Sequence, residues 1–216
     1  PEGLNNYLAL LGWSISPDND VFSMEEMAAA FDISDVNPNP ARFDPKKCIA
    51  INAEHIRLLE PDDFRGRIVP FLHRDGLVSA DSFDELTADE QKIMQHASPL
   101  IQTRIQLLGE APGMLGFLFT EDDALELDEK SVSKLKENAP EVLDATIHFI
   151  ENYDGPFTTE ALEHALRELI VEGMDIKPRI AFGPIRVAVT GRQVSPPLFE
   201  SMEILGRESV LNRLHS

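Results

Sequence analysis

The segment TADEQKIMQHASPLIQTRIQLL, residues 87–108, carries the pattern that decides the fold. Thr87 and Glu90 have the spacing of a capping box, in which each side chain binds a backbone N–H at the start of a helix. The apolar residues that follow lie at helical spacing: Ile93, Ile101, Ile105 and Leu108. Because proline fits poorly inside a helix, Ser98 and Pro99 are expected to begin a second helix, which carries Arg104. The segment therefore predicts two consecutive amphipathic helices.

Similar signals recur on both sides of this segment, whereas strand signals are scarce. Ser23 with Glu26 repeats the capping box, and Asp44 before Pro45 places a cap residue before a proline at the first helical position. Further helices are expected from Pro61 and over residues 141–152 and 159–171. β-Branched residues cluster only over residues 180–189, and no Asn-Gly or Asp-Gly hairpin separates alternating apolar runs. The sequence predicts a mainly α fold.

Two stretches lack helical periodicity and are expected to connect helices. Residues 32–45, DISDVNPNPARFDP, form a turn-rich loop that its apolar side chains tether to a core. Residues 75–87, DGLVSADSFDELT, look more like a hinge between two helical units. The sequence therefore predicts two helical domains, residues 1–86 and residues 87–216.

The net charge limits the possible partners. The 216 residues hold 38 acidic and 19 basic side chains, a net charge of −19. A broad electrostatic grip on nucleic acid or on an anionic membrane is therefore disfavoured. The charge is unevenly distributed, since residues 1–175 sum to −22 and residues 176–216 to +3. The tail is either an ordinary fluctuation in composition or a local surface that faces an anion.

The chain shows no catalytic or metal-binding pattern. It contains no phosphate-binding glycine loop, no paired histidines at helical spacing and no nucleophile elbow. Its one cysteine, Cys48, excludes an internal disulfide and has no nearby histidine. No apolar run approaches the ~18 residues of a membrane span, and the first residues do not resemble a secretory signal. We therefore expect no catalytic residue, no metal site and no membrane contact, and we expect a cytoplasmic protein.

Arginines remain as candidate binding residues. Arg186 lies in the apolar run IAFGPIRVAVTG, where a guanidinium must either be paired or face a ligand such as a base edge or a phosphate. Arg104 is the only basic residue between Lys92 and Lys130. Arg192 follows Gly191 and is either a solvated loop residue or a phosphate contact.

Three blocks of the sequence resemble bacterial glutamyl-tRNA synthetases in the order found in that family. They are PEGLNNYLALLGWS at residues 1–14, ARFDPKKCIAINAEHIR at residues 41–57 and FGPIRVAVTGRQVSPPLFESMEILGRESVLNRL at residues 182–214. The resemblance is to the C-terminal half of these enzymes and covers nearly the whole chain. It implies that residues 1–86 are a helical region that contacts the tRNA stem and that residues 87–216 are a helical anticodon-binding bundle.

The resemblance also implies what surrounds this chain. Neither the HIGH-type motif nor the KMSKR-type loop of class I synthetases occurs here, so a fragment without the catalytic domain is expected. The intact parent would activate glutamate with ATP and magnesium and transfer it to tRNA-Glu, whereas this fragment alone would be inactive. Its expected partners are tRNA-Glu and the catalytic domain of the same polypeptide, and a monomer is the expected oligomeric state.

The family's anticodon contacts can be carried over to single positions. The arginine that discriminates the third anticodon base falls on Arg104, and further contacts fall on Arg186, Ser195 and Leu198. Relatives can read T-P-G-L where this chain reads Ser-Pro-Pro-Leu, and proline at Pro197 offers no backbone N–H. Whether the parent also charges tRNA-Gln is left open by Arg104 together with its neighbours Gln102 and Thr103.

Two other classes of function compete with this interpretation. A stand-alone acidic helical protein could bind another protein through apolar grooves. An intact small enzyme with dispersed catalytic residues is disfavoured by the absence of catalytic motifs. Charge favours the interaction protein, while the ordered blocks and the basic tail favour the tRNA-binding fragment.

Overall fold

The computed structural model describes residues 1–38 and 41–216, with the exception of the side chain of Arg179. These residues are mostly helical and form no sheet, only one bridged pair, Ser16 and Asn19. The α-helices of the described residues are α1 Glu2–Ala9, α2 Met24–Ala30, α3 Pro45–Arg57, α4 Pro61–Arg74, α5 Ala88–Ile101, α6 Ala111–Leu115, α7 Glu129–Val132, α8 Ala139–Asn152, α9 Thr159–Leu166, α10 Pro178–Thr190 and α11 Leu198–His215. A π-helical turn, Arg167–Glu172, extends α9. The predicted mainly α fold class is confirmed.

The predicted caps begin their helices. At α2 the Glu26 N–H donates to the Ser23 hydroxyl over 3.0 Å, and the Ser23 N–H donates to the Glu26 carboxylate over 2.8 Å. The same reciprocal pair joins Thr87 and Glu90 at α5. Asp44 caps α3, whose first residue is a proline. The predicted loop over residues 32–45 contains a short 3-10 turn, Ile33–Asp35, while its residues 39–40 lie outside the described part of the chain.

The prediction that Ser98 and Pro99 begin a second helix is wrong. Pro99 lies inside α5, which continues to Ile101 and ends there. The missing N–H of Pro99 removes one hydrogen bond near the end of the helix, and burial of Ser98 and Ile101 on the core face keeps the last turn in place. Arg104 consequently lies in a turn, where its N–H donates to the Ile101 carbonyl over 2.8 Å.

Most of the buried apolar side chains of the described residues form two clusters. The first runs from α3 to the 3-10 turn that follows α6 and is centred on α4 and α5, with Phe64, Leu72 and Met94 fully buried. The second joins α8 to α11 and includes Val142, Ile185 and Met202 among others. The first cluster has members on both sides of residue 86, and the division into residues 1–86 and 87–216 stays a prediction.

A buried ion pair fastens the two clusters together. Asp122 lies in the link that follows the first cluster, and its carboxylate accepts a hydrogen bond from Arg213 Nε over 2.6 Å. The Arg213 side chain is 2% exposed, and its remaining N–H groups donate to the carbonyls of Val189, at the end of α10, and of Thr120. The contacts of Arg213 therefore join α11 to the end of α10 and to the segment that carries Thr120 and Asp122. They help to position the loop that joins α10 to α11.

Candidate functional site

Arg186 lies on α10, beside the face that the helix buries. Ala181, Ile185 and Val189 lie at helical spacing, face the core and are fully buried. Arg186 comes directly after Ile185 and therefore lies at the edge of this apolar face, where it is half-buried. Its Nη1 donates to the Ser195 hydroxyl over 2.7 Å and to the Pro196 carbonyl over 2.6 Å. These two contacts orient the guanidinium on the loop that joins α10 to α11.

The remaining nitrogen atoms of Arg186, Nε and Nη2, have no protein partner among the described residues. Burial lowers the pKa of Arg186 from its ordinary value, the nearby charge of Arg104 lowers it further, and the charge of Glu200 opposes both. The ordinary value is far above neutral pH, so the side chain stays a cation. Arg186 therefore offers two nitrogen atoms of an oriented guanidinium to a ligand.

The loop between α10 and α11, residues 191–197, is held by several backbone contacts. Gly191 ends α10 in the left-handed conformation, at φ 79°, and a side chain there would come within 2.8 Å of the Glu126 carbonyl. The Asp128 N–H donates to the Gly191 carbonyl over 2.8 Å, and the Gln193 N–H donates to the Ser131 hydroxyl over 3.0 Å. The segment around α7 and this loop therefore support each other.

Ser195 and Leu198 are buried, at 4% and 3% exposure. The Ser195 hydroxyl is engaged by Arg186 and the Pro196 carbonyl, and Leu198 belongs to the second core cluster. The position of Ser195 fits support of Arg186, and that of Leu198 fits support of the loop from the core, better than direct contact with a ligand. Pro197 is the N-cap of α11, with φ −53°, which is the value that proline prefers.

Arg104 comes from the other cluster but lies close enough to Arg186 for its charge to act on that residue's pKa. Its side chain is exposed and has no protein partner among the described residues. The neighbouring Gln102 is not free, because its amide donates to the carbonyls of Ile56 and Leu59 at the end of α3, over 3.0 and 2.7 Å. Of the three residues considered for base discrimination, Gln102 therefore has a structural role.

Arg192 faces a different part of the surface. Its Nη1 donates to the Gly113 carbonyl over 3.0 Å, and it lines a cavity of about 400 Å³ shared with Asp75 and Glu126. The structure thus places Arg104 within electrostatic range of Arg186 and Ser195 in contact with Arg186, with Leu198 in the second core cluster and Arg192 facing another cavity. A phosphate contact at Arg192 stays a prediction.

A second cavity, of about 520 Å³, opens beside Arg186, and we call it the basic cavity. Its lining is Lys134, Leu135, Lys136, Pro178, Ile180, Phe182, Gly183, Pro184, Arg186 and Gln193. No described acidic residue lines it, although the chain as a whole carries a charge of −19. The sequence reasoning missed Lys134 and Lys136, which, with Lys130, are three of the five cations in the acidic stretch 97–175. The local density of lysines in this otherwise acidic stretch is the sequence signal that could have identified them.

The described residues contain no group of three or more histidine, cysteine, aspartate or glutamate side chains that could hold a metal ion. Within the same residues, no helix combines the length and the apolar character that crossing a bilayer needs.

Fold and cavity together define a helical recognition domain, in which an oriented arginine and two lysines surround a cavity with apolar walls. Comparison with known proteins identifies the family. The family model described as "Anticodon binding domain" matches residues 63–216, and the chain belongs to this family.

Glutamate–tRNA ligases are among its relatives. The chain is 56% identical over 214 residues to the ligase of Kocuria rhizophila and 57% identical over 213 residues to that of Kineococcus radiotolerans. Each match covers 99% of this chain, which spans only 41% and 42% of these relatives' length. A crystal structure of a glutamate tRNA ligase from Elizabethkingia meningosepticum has the same fold over all of this chain and 40% of its own, with a TM-score of 0.77 and 22% identity.

Proposed function

We propose that this chain is the tRNA-binding C-terminal part of a glutamate–tRNA ligase and that it recognises the anticodon of tRNA-Glu. Membership of the anticodon-binding family and the similarity to ligases support this function over a stand-alone interaction module. ATP, magnesium and glutamate would act in a catalytic part of the parent enzyme, outside these residues. The proposal also places the protein in the cytoplasm, as a monomer.

The observation that carries the proposal is the held guanidinium of Arg186. Anticodon bases are unstacked and can be read on their edges, so a protein needs oriented donors rather than a large basic surface. Arg186 is oriented by Ser195 and Pro196, and its Nε and Nη2 remain available. Arg104 lies nearby on a separate turn and can contact a neighbouring base. Leu198 supports the loop from the core and need not contact RNA directly.

Binding of tRNA tests the proposal. Changing Arg104 or Arg186 to alanine is expected to weaken binding of tRNA-Glu by about 1 to 3 kcal/mol each, and to reduce the preference for the native anticodon. Arg74→Ala is a matched control, because Arg74 is 63% exposed and its Nε contacts only the neighbouring Asp75. Equal affinity of the unchanged chain for tRNA-Glu and for an unrelated tRNA would refute the proposal.

A second measurement separates the binding role from catalysis. Glutamate- and ATP-dependent pyrophosphate exchange is expected to be absent for these 216 residues alone, because they contain neither the HIGH-type motif nor the KMSKR-type loop and span only 41% of the relative from Kocuria rhizophila. Measurable exchange would show that the chain itself activates the amino acid.

A further inference from the structure

The lining of the basic cavity carries three cations, Lys134, Lys136 and Arg186, and includes no described acidic side chain, although the charge of Glu200 reaches Arg186. Lys134 and Lys136 are exposed and form no ion pair or side-chain hydrogen bond with any described residue. Elsewhere on the described surface, arginines such as Arg65 and Arg67 are paired with carboxylates one turn away. Unpaired cations that converge on one cavity of an acidic protein indicate an anionic ligand.

The walls of the cavity indicate what else that ligand carries. Leu135, Ile180, Phe182 and Pro184 give the cavity apolar surface, while Gln193 adds an amide that both donates and accepts. A volume of about 520 Å³ is in the range of small-ligand sites. The combination of cations, apolar surface and an amide matches a nucleotide, whose phosphate is anionic and whose base has flat apolar faces and a polar edge.

The backbone segment before the two lysines is joined to the loop that contacts Arg186. The lysines follow α7, which is bound to the loop between α10 and α11 by two hydrogen bonds. The Asp128 N–H donates to the Gly191 carbonyl, and the Gln193 N–H donates to the Ser131 hydroxyl. The Asp128 carboxylate also accepts from the Ser131 N–H over 2.8 Å, which fixes the start of α7. A ligand that bridges the lysines and Arg186 would therefore meet two backbone segments that are already joined rather than two independent loops.

Resting on the proposed function, we propose that Lys134 and Lys136 bind the phosphodiester backbone of single-stranded RNA next to the base that Arg186 reads. The basic cavity then holds one nucleotide, with its phosphate at the lysines and its base towards Arg186. The lysines contribute affinity without reading sequence, because a phosphate carries no information about its base.

The salt dependence of tRNA binding tests this assignment. Two contacts to single-stranded phosphates are expected to contribute about 1.4 to the slope of log affinity against log salt. The double variant Lys134→Gln/Lys136→Gln should lose that part of the slope. The ratio of the unchanged chain's affinity to the variant's affinity should therefore fall roughly seven-fold between about 50 mM and about 200 mM salt. The control is Lys92→Gln, which removes an exposed, unpaired lysine outside the basic cavity and outside residues 1–86 and should keep the slope.

Two RNAs and a conservative variant separate the outcomes. The double glutamine variant should bind tRNA-Glu transcripts with the native and with a replaced anticodon more weakly by the same factor. Lys134→Arg/Lys136→Arg should keep the slope of the unchanged chain. A defect confined to the native anticodon would overturn the phosphate assignment. An unchanged slope would overturn it too, and would favour a different partner for the lysines, such as an acidic protein segment. Failure of the unchanged chain to bind either RNA would instead refute the proposed function, and this inference with it.

Discussion

Replacing Asp122 with alanine is expected to destabilise the whole chain. The Asp122 carboxylate is the only acidic partner of Arg213 in the described structure, and it also accepts hydrogen bonds from Ser209 and Asn212. The variant removes the carboxylate that joins the two core clusters and leaves three donors on α11, from Ser209, Asn212 and Arg213, without their acceptor. Because the Arg213 side chain is 2% exposed, its charge would remain buried without a counter-ion.

The magnitude follows from what survives the change. Breaking a buried ion pair on one side costs about 3 to 5 kcal/mol. Two hydrogen bonds from Arg213 to the carbonyls of Val189 and Thr120 would remain, and Asp122 is 24% exposed, so water can enter the vacated space. Both features place the loss near the lower limit, at about 3 kcal/mol. That is a large fraction of the roughly 5 to 15 kcal/mol by which folded domains are stable.

Equilibrium unfolding in urea, followed by circular dichroism, measures this loss. The matched control is Asp123→Ala, which removes the same charge from the adjacent, exposed residue and should change stability by less than about 0.5 kcal/mol. The double variant Asp122→Leu/Arg213→Met should be more stable than Asp122→Ala, because it removes the unpaired buried charge as well. A loss for Asp122→Ala below about 1 kcal/mol, or equal to that of the control, would refute the reasoning.

The same contact predicts the direction of acid sensitivity. Burial raises the pKa of Asp122, but hydrogen bonds from Ser209, Arg213 and Asn212 outweigh it and leave the pKa below its ordinary value. A carboxylate with a depressed folded pKa contributes its full stability above its unfolded pKa of about 3.9 and loses it as pH falls through the folded value. Stability should therefore fall below about pH 4, and the fall attributable to this residue should be absent in Asp122→Ala.

Three further changes test the site and its supports. Ser195→Ala should weaken tRNA-Glu binding by about 1.5 kcal/mol in a filter-binding assay, because Arg186 loses one of its two acceptors, and Ser195→Thr should retain binding. Gly191→Ala should lower the unfolding free energy by about 1 to 3 kcal/mol in urea, because φ 79° and the Glu126 carbonyl both disfavour a side chain there. Gln102→Ala should cost about 1 to 3 kcal/mol of unfolding free energy, since it releases the carbonyls at the end of α3, while the ratio of affinities for native and altered anticodons stays unchanged.

Local rules predicted the fold well wherever a short segment determines its own conformation. The capping boxes at Ser23 and Thr87 and the cap at Asp44 begin the helices that they predict, because each depends on side chains within three residues. Pro99 misled the prediction since its cost depends on tertiary context. Burial of the flanking Ser98 and Ile101 keeps the helix intact, and a sequence alone does not show that burial.

The site was less predictable because it joins distant segments. Arg186 could be identified as an unusual cation in an apolar run, but its partners Ser195 and Pro196 depend on the turn at Gly191. The proximity of Arg104 depends on the packing of the two clusters. Arg192 was expected to be either a solvated loop residue or a phosphate contact, and its bond to Gly113 directs it to a different cavity from that of Arg186.

The charge distribution constrains how such a domain can recognise RNA. With a net charge of −19, long-range attraction of RNA is unfavourable, and under our proposal we therefore expect specificity to come from short-range contacts at Arg186 and the basic cavity. If Arg186 and the two lysines supply most of the favourable charge, few counterions are released on binding, and the salt slope of the unchanged chain should be shallow. A steep slope would require many more phosphate contacts than the basic cavity provides. Under this proposal, the acidic surface is expected to suppress binding to other RNAs, and the basic cavity to favour a ligand whose unpaired bases can reach it.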